Sequence, residues 1–205
     1  PVAIQDGCVQ IAFMIITIIA NSRGLNDAAA VGIVEKMITA IFIIPSTMLA
    51  TVSALSAQNI GAKNYGRART VLKYAVMITT LYGIIVALIV EYAAPTLLGL
   101  FTKDTTVILL GVQYISSYIM DTIFAGIHFC FSGYFAADGK SYIGFIHNII
   151  SISLVRVPGS YIASHIYPHN LFPMGLAAPL GSLLSVIICL IAYRILKKKD
   201  ELSVL

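Results

Sequence analysis

The sequence predicts an all-α membrane protein, a bundle of six transmembrane helices. Three observations lead there. The chain is 59% hydrophobic and only 11% charged, whereas a soluble domain is roughly 45–50% apolar and about 25% charged. So little polar surface cannot cover a water-soluble globule. The apolar residues also fall into six runs of membrane-spanning length; a crossing helix needs about 20 residues for a hydrocarbon layer about 30 Å thick. Finally, no run alternates at period two, which argues against a membrane barrel. Each run must then pair its own backbone amides as a helix.

The runs are set apart by polar punctuation. The first, about 2–20, ends in the polar turn "NSRGLND". It lacks a basic leading region and five more spans follow, so it is not a secretory signal peptide. The second, about 28–57, holds Pro45 and gives way to Gln58, Asn59 and a glycine-containing break. The third, about 71–100, closes near "APTLLGLFTKD". The fourth, about 107–137, stops at "DGKS". The fifth, about 142–166, carries Pro158 and ends at "YPHNLFP". The sixth, about 172–196, holds Pro179 and is followed by "KKKDELSVL". Proline in mid-helix removes a hydrogen bond, so these three are expected bend points. Together the runs make a single lobe over 1–205, and opening on Pro1 reads as a piece of something longer or a trimmed chain.

Charge orients the bundle. Lys63, Arg67, Arg69 and Lys73 crowd the second-to-third connection. Six crossings place that loop, the fourth-to-fifth loop and both chain ends on one face, which collects nine Lys and Arg against two, Arg23 and Lys103, opposite. Short cytoplasmic loops gather positive charge, so the basic face is cytoplasmic and the expected location is the cytoplasmic membrane. The basic loop is also placed to touch anionic headgroups of membrane lipids. A net charge of +4 then needs no nucleic-acid partner.

Several classes of chemistry lack their signatures. There is no CxxC, HExxH, GxxxxGK[ST] or GxGxxG spacing, and no nucleophile motif. The chain is therefore expected to be neither an enzyme nor the holder of a cofactor or structural metal. Cys8, Cys130 and Cys189 all fall in apolar runs and read as buried thiols.

Ionisable groups inside the bilayer are costly and are the default functional candidates. Asp121 lies mid-run in "YISSYIMDTIFAGIH" with no Lys or Arg on its own segment. A carboxylate in a dry helix is held by a proton, by a cation such as sodium, or by a Ser, Thr or Tyr on a neighbouring helix. Glu35 and Lys36 are adjacent, so they cannot share one helix face; one reaches inward while the other snorkels. Arg156, two residues before Pro158, is placed to pair with Asp121 or to cap carbonyls freed by the proline. His128 stands two turns from Asp121 on about the same face and is a candidate proton relay. Tyr114, Tyr118 and Phe124 are placed to meet organic cations through their rings. Glu91 and Asp6 fall near span ends and read as interfacial.

The order of residues in "QNIGAKNYGRA" resembles a signature of the multidrug and toxic compound extrusion family, found where the second helix of a six-helix half meets the cytoplasm. "AAAVGIVEKM" and "IIPSTMLATVSALSAQ" upstream are similar to that helix. "LVRVPGSYI" resembles the R-x-P pattern of the fifth helix, "FSGYFAADGKS" the end of the fourth, and "PVAIQ" the start of a seventh helix in a twelve-helix protein. The resemblance covers essentially the whole chain. It implies one lobe, most like the carboxy-terminal one, of a two-lobed transporter whose amino-terminal lobe is absent from the chain or replaced by a second copy. It implies a proton- or sodium-driven antiporter that exports cationic or amphipathic drugs by alternating access. On that reading Asp121, Glu35, Lys36, Gln10, His128 and Tyr118 serve cation coupling or substrate binding. Gln58, Asn59, Gly61, Arg156 and Pro158 serve structure or gating. The sequence departs from the family pattern at two places: Ala125 stands where a carboxylate is usual, with Asp121 one turn away, and Val9 stands at the other, beside Gln10. Two rival readings share the architecture: a flippase for lipid-linked sugars, and a non-transporting membrane scaffold or half-unit.

The threading makes a direct prediction. Single cysteines replacing Arg67 and Lys198 will both react with a membrane-impermeant thiol reagent from the cytoplasmic face; labelling from opposite faces overturns the topology.

Overall fold

In the computed structural model the backbone is described for residues 2–202 and side chains for residue 7 and 9–197. Asp6, Cys8, Lys198 and Lys199 lie outside the described side chains. The described chain is helical almost throughout: α1 Val2–Arg23, α2 Leu25–Ile41, α3 Ile43–Gly61, α4 Tyr65–Gly99, α5 Thr105–Tyr118 and α6 Asp121–Ala137. Then come α7 Ser141–Ser151, a π segment Ile152–Arg156, α8 Val157–Ile166, α9 Phe172–Gly175 and α10 Ala177–Leu202.

Among the described residues, four helical stretches are long and apolar enough to cross a membrane: Leu25–Gly61, Tyr65–Gly99, Ser141–Ile166 and Phe172–Lys197. The pair α5 and α6, bent by 42°, forms a fifth. Val9–Arg23 is a shorter apolar helix. One face of α4 exposes Met77, Ile78, Leu81, Ile85, Leu88 and Tyr92. A contiguous stripe of that kind belongs in lipid rather than water.

Helix interruptions shape the lobe, and the sequence accounts for two of them. Pro45 has no N–H to give to the carbonyl of Ile41, four residues back. The chain breaks at Phe42, between α2 and α3. The Tyr82 hydroxyl on α4 donates to that Ile41 carbonyl at 2.9 Å. Pro158 follows the π segment, where Val157 N–H reaches back five residues to the Ile152 carbonyl. The wider ladder meets the proline at the first turn of α8.

The connections are capped in the usual ways. The carbonyls of Gln58 and Asn59 accept from Ala62 N–H at 3.1 Å and Asn64 N–H at 2.8 Å. Lys63 takes the left-handed conformation there, φ 58°. The Asn64 side chain then caps α4 by accepting from Arg67 N–H at 3.1 Å. Asp104 caps α5, accepting from Thr106 N–H at 2.8 Å. On the opposite face Arg23 clamps the ends of α1 and α8. Its guanidinium pairs with Asp27 at 2.6 Å and donates to the carbonyls of Ser164, Tyr167 and Pro168 at 3.0–3.2 Å. A cation at a helix C-terminus is favoured by the helix dipole.

Apolar packing forms two clusters. One gathers Ile16, Val31, Ile38, Leu98, Ile115 and Met174 near the Arg23 clamp. The other gathers Val52, Leu72, Phe131, Tyr134, Phe135 and Cys189 toward the basic loop. Close backbone approach holds the second together: a side chain at Gly133 would collide with the Leu49 carbonyl of α3.

The repair at Phe42 predicts a coupled pair of substitutions. Tyr82→Phe will lower stability by about 1–3 kcal/mol, the cost of an orphaned buried carbonyl. In a Pro45→Ala background, where residue 45 regains its N–H, the same change will cost little. Equal losses in both backgrounds, measured by thermal unfolding in detergent, would remove Tyr82 from this role.

Candidate functional site

A polar seam runs between the two apolar clusters. On α6 the residues Asp121, Ala125, His128 and Ser132 recur at helical spacing and are all buried. From α7 come His147, Asn148 and Ser151, and from α10 Ser182 and Ser185, again buried. The π segment contributes Arg156.

At one end Arg156 meets Asp121. Arg156 Nη2 lies 3.0 Å and 3.3 Å from the two Asp121 oxygens and donates to Ser182 Oγ at 2.7 Å. Asp121 is fully buried. Ser182 Oγ is 3.3 Å from His128 Nε2. The His128 and His147 rings are 5.4 Å apart, and His147 Nε2 lies 2.9 Å from Ser132 Oγ. Tyr118 is buried beside Arg156 and packs on Tyr114, with ring centroids 5.6 Å apart. Unpaired in this low-dielectric setting, Asp121 or Arg156 would be very costly; paired, they neutralise each other.

Next to the seam lies a cavity of about 300 Å³. Its floor is His128, Phe129, Asn148 and Arg156. Gln10, Thr39 and Ser46 line it and are exposed, so it opens between α1 and the break at Phe42. Phe13, Ile38 and Phe42 supply apolar wall.

The expected site residues thus divide into three groups. Asp121, Arg156, His128 and Tyr118 come together, and Gln10 reaches the cavity mouth. Asp121 itself is not at the cavity wall: of the partners open to its carboxylate, the Arg156 guanidinium engages it. Among the described residues no group of three or more His, Cys, Asp and Glu is arranged to hold a metal. Glu35 and Lys36 diverge, as adjacent residues must. Glu35 is half-buried and its Oε2 accepts from Thr17 Oγ1 on α1 at 3.0 Å, while Oε1 has no partner among the described residues. Lys36 is exposed. Gln58, Asn59 and Gly61 lie apart, at the α3–α4 turn, and Pro158 sits in the first turn of α8.

Sequence reasoning passed over His147, Asn148, Ser151, Ser182 and Ser185. Their signal was present as polar residues recurring three or four apart inside apolar runs, which places them on one helix face.

The family model described as MatE matches residues 1–162. The chain belongs to the MatE family. It is a family of membrane transporters, not of enzymes, and the fold is the six-helix lobe expected from the sequence. A probable multidrug resistance protein of Bacillus subtilis, YoeA, is 20% identical over 203 residues, covering 99% of this chain and 44% of that protein. A transporter of the MOP superfamily from Pyrococcus furiosus superposes with a TM-score of 0.86 at 16% identity, over 94% of this chain and 43% of its own. The Vibrio cholerae MATE transporter VcmN in its bent form gives 0.84 at 18% identity, over 97% and 45%. These structural likenesses establish the fold. The MatE chain described here spans less than half the length of each.

The buried pair in this MatE lobe predicts a non-additive cycle. Arg156→Met alone strands a buried carboxylate and will cost about 3–5 kcal/mol of stability. Adding Asp121→Asn will recover a large part of that loss in thermal unfolding. Additive losses would mean that the two side chains are not energetically coupled.

Proposed function

We propose that the chain forms one lobe of a transporter that exports amphipathic small molecules, cationic drugs among them, across the cytoplasmic membrane. Proton or sodium inflow drives the exchange, and the lobe works against a second lobe by alternating access. The family assignment and the likeness to a probable multidrug resistance protein support export. The share of each relative covered, 43–45%, supports a two-lobed assembly. The basic α3–α4 loop supports placing both chain ends in the cytoplasm.

Glu35 carries the coupling reading. It is an intramembrane carboxylate with one oxygen unpartnered and only a hydroxyl on the other. Its charge is not met by Lys36, which turns outward. A carboxylate so placed takes up a cation readily, and each charge crossing about 100 mV releases about 2.3 kcal/mol. Asp121, already matched by Arg156, serves to hold the bent α5–α6 pair against the π segment. His128, Gln10 and Tyr118 shape the binding side, while Gln58, Asn59 and Gly61 close the cytoplasmic end of α3. Membrane lipid surrounds the α4 face.

In proteoliposomes of the two-lobed transporter, Glu35→Gln will abolish exchange driven by an ion gradient, at least tenfold, while drug binding persists. Unchanged coupling in Glu35→Gln together with its loss in Asp121→Asn would move the coupling role to Asp121.

A further inference from the structure

An unbroken helix laid against a bent one touches it on either side of the bend and parts from it at the bend. Here α4 runs without a break from Tyr65 to Gly99, and the α5–α6 pair beside it is bent by 42°. On one side of the bend a side chain at Gly83 would strike the Ile123 backbone at 2.9 Å. On the other, a side chain at Gly111 would press on Leu98 at 3.0 Å. Between these close approaches lies a groove of about 500 Å³. Its apolar wall includes Ile84 and Leu88 of α4, Met120 at the bend, Ile123 of α6 and Phe172 of α9. Ile84, Leu88, Met120 and Phe172 are 40–55% exposed, so the groove is open to the outside of the lobe. Among the described residues it shares no lining with the cavity beside Arg156.

Glu91 also lines the groove. It lies about one and two helical turns beyond Leu88 and Ile84, on the same face of α4, and it is exposed. Among the described residues it has no ion-pair partner. Its depth follows from two tyrosines on that helix. Tyr74 and Tyr92 are both exposed and stand about 27 Å apart at the helical rise. Tyrosines gather at the two membrane–water boundaries, and this separation matches a hydrocarbon layer about 30 Å thick. Glu91, next to Tyr92, is therefore at the boundary away from the basic loop. From there to Ile84 the groove runs about 10 Å into hydrocarbon.

We propose that this groove binds a cationic amphiphile from the surrounding leaflet. The ammonium meets the Glu91 carboxylate at the boundary, and the apolar body lies along Ile84 and Leu88 against Met120 and Phe172. A carboxylate over an apolar trough matches a positive head on an apolar tail. It repels a fatty acid outright. It also disfavours a phospholipid, whose phosphate brings negative charge beside the same carboxylate. The site is independent of the export reading: it lies on the lipid side of α4, apart from the polar seam.

The test uses the full-length protein in phosphatidylcholine nanodiscs. Two photoactivatable probes are compared, dodecylammonium and dodecanol, each with a mid-chain diazirine, and labelled residues are mapped by mass spectrometry. The ammonium is expected to label residues 84–88 and 120–123 about fivefold more than the alcohol does, the upper range for an ion pair open to solvent. Glu91→Gln will bring the ammonium down to the level of the alcohol, and Glu91→Lys will take it lower, with the alcohol unchanged in both. Leu88→Trp keeps the carboxylate but fills the groove, and it will reduce labelling of Met120 and Ile123 by both probes. Ammonium labelling no stronger than that of the alcohol, indifferent to Glu91→Gln and Leu88→Trp, or confined to other parts of the chain overturns the proposal. Displacement of the ammonium by phosphatidylethanolamine added to the nanodisc overturns it too, since the occupant is then a membrane lipid; labelling that persists supports it.

Discussion

A backbone in hydrocarbon has no water to fall back on, and the rest of this structure follows from that constraint. Every carbonyl released by a break must be satisfied by the protein or by the cavity it faces. At Phe42 the release comes from Pro45, and a hydroxyl from a different helix, Tyr82, meets it. At the end of α8 three carbonyls beyond the reach of the ladder are gathered by Arg23. At the π segment the ladder widens immediately before Pro158, Val157 N–H reaching back to the Ile152 carbonyl. Two of these irregularities recruit a side chain from elsewhere, Tyr82 and Arg23, and those recruits tie helices together that are not consecutive in the chain.

The same constraint explains the ion pair. Asp121 begins α6 just after the bend, and Arg156 ends the π segment. A charge at either place alone would be ruinous in a dry interior. Placed together, with Ser182 accepting from the same Nη2, they join two interrupted helices and α10. Small side chains around them make the approach feasible. A Cβ on Gly181 would strike the Arg156 side chain, so α10 can lie against the π segment only where it carries glycine.

The helical class and the apolar runs were legible because run length is a one-dimensional property. The turn between α3 and α4 was legible as a local signal too: the apolar run gives way to Gln58, Asn59 and a glycine-containing break. The meeting of Asp121 with Arg156 was one of two roles open to Arg156, since the chain alone does not say which helix faces which. That Arg156, rather than Asp121, lines the cavity was not legible at all. It depends on rotation of α6 and α7 about their axes, set by contacts such as Gly133 against α3. His147, Asn148 and Ser182 were hidden differently: singly they are ordinary residues of an apolar helix, and they become a seam only when three helices bring them together.

That seam lies between the two apolar clusters. Residues of the first, such as Ile38, Ile115 and Met174, precede the breaks in α2–α3 and α5–α6 or sit at the start of the last span. Residues of the second, such as Val52, Phe131 and Cys189, follow them. In the second and fourth spans, crossing from one cluster to the other means passing an interruption; in the fifth, the π segment marks the same level. Interrupted ladders and unpaired side-chain donors are thus found in the same layer, and the cavity opens there because aliphatic packing from neither cluster reaches across it. A lobe made of two greasy halves and a polar waist concentrates its buried polar side chains at one depth.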